Sequence, residues 1–88
     1  MQTETDHRLI AEGLVGFTEA CRSFIPAEFG RRHHPVTLQV WARRGKRTPR
    51  GMVKLEVVEL PNGRATSRPA IRRFFERLAA AQAATGRS

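Results

Sequence analysis

Thr37-Leu-Gln-Val-Trp-Ala-Arg-Arg-Gly45, followed by Lys46-Arg-Thr-Pro-Arg-Gly51, decides how the rest of the chain is read. Leu38, Trp41 and Ala42 fall at i, i+3 and i+4, so on a helix they share one apolar side. Thr37, Val40 and Arg44 fall on a second side, flanked by Gln39 and Arg43. Gly45 suits the left-handed position that ends a helix, and Arg43 and Arg44 complement the negative end of the helix dipole. The spacing predicts a short helix with one apolar and one cationic face, Thr37 being its cap or lying in its first turn. A basic loop over 46–51 follows.

Charge singles out the same region. Between Arg31 and Lys54 lie eight basic residues and no acidic one, which equals the +8 net charge of the whole chain. Residues 1–28 instead carry five acidic and two basic residues, so the N-terminal part is not expected to be a binding face for anions. This imbalance points to phosphate backbones as partner, ahead of an anionic membrane surface. At 88 residues with a 40% hydrophobic fraction, the chain has material for one domain with a thin core. Cys21 is the lone cysteine, which excludes an internal disulfide and fits a reducing cytoplasm. No apolar run approaches the roughly 20 residues that span a bilayer, and the acidic start is the reverse of a signal peptide.

Outward from the central stretch, residues 1–13 are expected to be a mobile N-terminal segment, with at most a helical turn over 9–13. Leu14–Phe17 reads as an extended lead-in. Thr18 is a good N-cap, and the helix it opens over 19–24 should stop before Pro26. A linker with Gly30 and the cluster Arg31-Arg32-His33-His34 then leads to the helix already described. After the basic loop, Val53–Leu60 alternates like a strand, Pro61-Asn62-Gly63 reads as a tight turn, and Arg64–Thr66 as a return strand. Ser67 caps the last helix, and Pro69 is harmless in its first turn. Ile71, Phe74, Phe75 and Leu78 give the clearest helical stripe in the chain, with Arg68, Arg72, Arg73 and Arg77 facing away from it. Burying the four apolar side chains contributes roughly 1.5–3 kcal/mol each before entropy is charged. That helix should fray over 79–84, leaving 81–88 as a mobile tail.

Helix, helix, hairpin and helix make an α+β, mostly helical outline. It is that of a winged helix-turn-helix over residues 14–80, whose second helix enters the major groove while the hairpin wing leans on the backbone or minor groove.

The residues also resemble a known family. Thr37-Leu38, Trp41, Arg44-Gly45, Leu55-Glu56, Val58, Gly63, Thr66-Ser67-Arg68 and Arg73-Phe74, with Glu76-Arg77-Leu78, are similar to the short bacterial excisionase-like proteins. Those are relatives of the winged DNA-binding head of the mercury-resistance (MerR-like) regulator superfamily. The nearest group is a set of uncharacterised proteins described only as a domain of unknown function, in which a lead-in like Leu14-Val15 and Thr18-Glu19-Ala20 opens the first helix. The resemblance covers about residues 14–78. The chain differs from the pattern at Val36, Gln39 and Val40, where a serine cap and a tyrosine or arginine are common, and its basic loop is longer. The resemblance implies DNA binding, as an excision accessory factor or a small regulator of transcription.

The candidate DNA-binding residues are Thr37, Gln39, Val40, Arg43, Arg44, Lys46, Arg47, Arg50 and Arg64. Arg43 or Arg44 can fork onto guanine or clamp phosphate, and Lys46, Arg47 and Arg50 suit phosphates. Gln39 can read adenine through its amide, and Thr37 can bond a phosphate near the helix start. Arg64, at the hairpin tip, suits the backbone or minor groove, whereas Asn62 is turn chemistry. Trp41 is assigned to the core rather than to base stacking.

A zinc reading of His7, Cys21, His33 and His34 fails on ligand spacing, so no metal or other cofactor is expected. The histidine pair could add positive charge at lower pH. Glu56 and Glu59, three apart on a strand, would face opposite ways and make no acid–base pair, and no catalytic set or small-molecule substrate site is apparent. The expected partner is double-stranded DNA, joined by a recombinase or a second copy of the chain to raise specificity. An RNA-binding module and a basic protein-interaction adaptor are the alternatives.

Overall fold

A computed structural model describes residues 2–61 and 63–85. In chain order its elements are α1 (Gln2–Glu12), β1 (Leu14–Gly16), α2 (17–29), α3 (Pro35–Arg43), β2 (Lys46–Thr48), β3 (Gly51–Val53), β4 (Val58–Leu60), β5 (Gly63–Ser67) and α4 (Arg68–Thr85). The chain is an α+β protein, mostly helical, with small antiparallel sheets. β5 lies between β1 and β4 in one sheet, and β2 pairs with β3 in another.

Helices α2, α3 and α4 enclose the main core. Phe17, Ala20, Cys21, Phe24 and Ile25 meet Leu38 and Trp41, and both groups meet Leu55, Ile71, Phe74 and Leu78. The α4 stripe is buried as its spacing predicts, with Ile71, Phe74 and Leu78 inside and Phe75 half-buried. Ser67 caps α4 by accepting the Ala70 N–H at 3.0 Å. The helix continues to Thr85, so the expected fraying over 79–84 is corrected, while the tail residues 86–88 lie outside the described residues.

Several expectations are revised by tertiary contacts. The segment 1–13, expected to be mobile, forms α1, whose Leu9 packs with Val58 and Ala70 in a second small cluster. α2 begins at Phe17, with Gly16 rather than Thr18 in the capping position, and it runs through Pro26 to Phe29. A π-helical turn over Ala20–Phe24, closed by the Ile25 N–H on the Ala20 carbonyl, immediately precedes the proline. Widening the helix there accommodates the missing Pro26 donor and the bulk of its ring. Gly30, at φ +72, then closes the helix in the left-handed region.

The basic stretch 46–51 is not a loop but most of a hairpin. β2 and β3 pair Lys46 with Val53 and Thr48 with Gly51, around a tip of Pro49 and Arg50. Thr48 Oγ1 accepts the Arg50 N–H at 3.2 Å and donates to the Gly51 carbonyl at 2.6 Å, which pins the tip. The single strand expected over 53–60 is therefore split between β3 and β4. Over 54–57 the backbone serves other partners: the Leu55 N–H bonds to the Trp41 carbonyl at 3.1 Å, and the Glu56 carbonyl accepts the Thr66 hydroxyl at 2.7 Å. β4 and β5 run antiparallel with Leu60 paired to Gly63; Asn62, part of the expected turn, lies outside the described residues.

An ion-pair network ties α1 to this scaffold. Arg73, expected to face solvent, donates to Glu12 at 2.7 Å and to Glu56 at 2.6 Å, and Arg8 also pairs with Glu56. Ser67 Oγ donates to Glu12 at 2.6 Å. The Arg73 hydrogen bond holds the Glu12 carboxyl below its ordinary value of 4.5, against the opposing effect of burial and with help from Ser67. Because the folded-state value is depressed, this stabilisation is present above the unfolded-state value and is lost as pH falls through the folded one. Urea unfolding of the wild type should therefore weaken with acidification below about pH 4.5, and Glu12→Gln should flatten part of that decline. Equal acid sensitivity in the two proteins would contradict this role for Glu12.

Candidate nucleic-acid interface

α3 starts earlier than its sequence suggests, and this shift determines what it displays. His34 is the cap: its Nδ1 accepts the Val36 N–H at 3.1 Å, and Pro35 takes the first turn. Thr37 is therefore inside the first turn, half-buried, with its N–H bonded to the His34 carbonyl at 2.9 Å. Leu38 and Trp41 point into the core, Trp41 lying 4.8 Å from Phe74 between ring centroids. Trp41 is thus core, as the spacing predicts. The opposite face carries Val36, Gln39, Val40 and Arg43, spaced i, i+3, i+4 and i+7 and all exposed.

Gly45 ends the helix at φ +91, and a Cβ at this position would lie 2.8 Å from the Val53 carbonyl oxygen. Only glycine fits this close crossing, which directs the chain from Arg44 straight into the basic hairpin. Lys46, Arg47 and Arg50 are exposed on that hairpin. Arg64, on β5, is half-buried and pairs with Glu59 at 3.4 Å. It shares an open cavity of about 470 Å³ with Gln39, Pro35, Gly63 and residues 16–18 at the start of α2. Gln39 and Arg64, far apart in sequence, thus line one groove.

The cations divide into two sets. Arg8, Arg64, Arg72, Arg73 and Arg77 are engaged by Glu12, Glu28, Glu56 and Glu59. Among the described residues, Arg22, Arg31, Arg32, Arg43, Arg44, Lys46, Arg47, Arg50, Lys54 and Arg68 make no ion pair with the protein, and those from Arg43 to Lys54 follow one another closely along the end of α3 and its hairpin. Glu56, read from sequence as a strand residue opposite Glu59, is instead the hub of the α1–α4 network, while Glu59 serves Arg64.

The two histidines sit in different surroundings. His33 packs against Trp41 and Phe75 at 5.2 and 5.9 Å, and burial, with the Arg31 charge beside it, pushes its pKa below 6.5. His34 holds its Nδ1 as an acceptor in the cap. Burial also raises the Cys21 thiol, in keeping with a small core residue. Among the described residues, no three His, Cys, Asp or Glu side chains gather to hold a metal ion.

Sequence reasoning missed Val36, which is 57% exposed beside Val40 at 42%. Reading Pro35 as the first helical residue would have placed the two valines on one stripe. It also missed the small cavity of about 280 Å³ that Arg22 and Arg32 line with Thr18, Cys21, His33 and Pro35. Among known proteins, no family model, no curated protein and no solved structure matches this chain.

Proposed function

We propose that the protein binds double-stranded DNA as a small winged helix-turn-helix module. In this reading α3 enters the major groove and the β4–β5 hairpin serves as the wing, with Arg64 on the backbone. The observation that carries it is the concentration of six cations without an ion pair, Arg43, Arg44, Lys46, Arg47, Arg50 and Lys54, on the end of α3, its hairpin and the residue after it, in a stretch that holds no acidic residue. Cations kept free of internal pairing are available to displace counterions from phosphates. The strand order supports the winged reading: a helix pair is followed by a hairpin whose return strand, β5, pairs back onto β1 ahead of the pair. The Arg64–Glu59 pair is a surface contact of small worth, readily exchanged for phosphate.

Duplex is favoured over single-stranded RNA because the aromatic rings are committed to packing. Phe17, Phe24, Trp41 and Phe74 are buried, and Phe29 and Phe75 stack on one another at 4.4 Å. Few faces remain on which unpaired bases could stack. The biological role proposed is that of an excisionase-like accessory factor or a small transcriptional regulator, in which a recombinase or a second copy adds the contact area that one small module lacks. Competition tests the choice of ligand: unlabelled duplex should displace a labelled duplex at concentrations at which single-stranded RNA of equal length does not. Better displacement by the RNA would overturn the proposal.

A further inference from the structure

Resting on the DNA-binding reading, we infer that α3 reads the 5-methyl groups of thymine through Val36 and Val40. These are aliphatic side chains on a solvent-facing helical stripe that also carries Gln39 and Arg43. A lone exposed valine means little. Here two lie one turn apart, 57% and 42% exposed, next to the cations that make no ion pair with the protein. Their β-branched side chains are held near one rotamer in a helix, so they offer a stiff apolar surface with little entropy to lose.

The flanking positive charge selects an anionic partner, and within the major groove of a duplex the apolar feature of the base edges is the thymine methyl. Cβ atoms at i and i+4 lie about 5–6 Å apart, which matches one to two base-pair steps of about 3.4 Å. Gln39 and Arg43 lie between and after the valines on the same stripe, with the amide and guanidinium geometry that suits adenine and guanine. The preferred site should therefore hold thymines within two steps of each other, adjacent to purines.

The test begins with duplexes enriched from a random-sequence pool by the full chain, in which each thymine is then replaced singly by uracil. That exchange removes one methyl and leaves every hydrogen-bonding group in place. One or two of these exchanges should weaken wild-type binding about fourfold, as expected for one methyl returned to water. In Val36→Ala or Val40→Ala the matching penalty should vanish, and exposure of both positions keeps the variants folded, as a melt would verify. Uracil tolerated at every position, while Arg43→Ala/Arg44→Ala still weakens binding, would overturn this inference and leave the DNA reading standing. A chain that enriches no duplex would overturn both.

Discussion

Trp41→Ala should lower stability by about 3–5 kcal/mol, the usual loss when a buried tryptophan is truncated. Trp41 joins α3 to the rest of the core: its ring lies 4.8 Å from Phe74, 5.8 Å from Phe75 at near-perpendicular incidence, and 5.2 Å from His33. Its carbonyl also holds the Leu55 N–H, which fixes where the chain runs between the two hairpins. A domain of this size has about 5–15 kcal/mol in hand at best, so the variant should be marginal at room temperature. The melting temperature should fall by on the order of 15–30 °C. Trp41→Phe, which keeps most of the packed volume, should lose much less. The measurement separates two roles for the ring. A base-stacking tryptophan would keep its stability when truncated and lose affinity alone; a core tryptophan loses stability first.

What could be read from residues alone follows from how local the cause is. The stripe of α4 and the apolar side of α3 rest on neighbours three and four positions apart, and both are buried as their spacing predicts. Gly45 was legible for the same reason, since the residue type itself states the backbone angle it serves. α1 was not legible, because it carries few apolar residues. Its anchors are Glu12 on Arg73 and Arg8 on Glu56, pairs separated by 61 and 48 positions. Nor could the extent of α2 be foreseen, since Pro26 ordinarily stops a helix and only the wide turn before it allows the chain to continue. The break between β3 and β4 arises because Leu55 and Glu56 give their backbone groups to Trp41 and Thr66.

For the candidate interface, residue types and the absence of acids identified Arg43, Arg44, Lys46, Arg47 and Arg50, and the structure leaves all five without internal ion pairs. It does not treat Arg64 in the same way, since Glu59 partly neutralises it. Thr37 gives up capping to His34, a role that depends on a histidine ring nitrogen and an extended residue ahead of Pro35, neither of which has a strong signature in sequence. The groove shared by Gln39 and Arg64 exists only because β5 returns beside the start of α2.

The second large effect concerns the unpaired cations. If Arg43, Arg44, Lys46, Arg47 and Arg50, joined by Arg64 once it exchanges Glu59 for DNA, each neutralise one phosphate, log affinity should fall with log salt at a slope of about −5. Arg43→Ala/Arg44→Ala should make that slope shallower by about 2 and weaken duplex binding about 100-fold at fixed salt. Both side chains are exposed and unpaired, so the double variant should melt like the wild type.

Fluorescence-anisotropy titration of a labelled duplex, at two salt concentrations and with these two proteins, therefore tests the central claim most directly. The account predicts tight, steeply salt-dependent binding by the wild type and a weaker, shallower response from the folded double variant. Absence of duplex binding at low salt, or a slope and affinity that the double variant leaves unchanged, would contradict it.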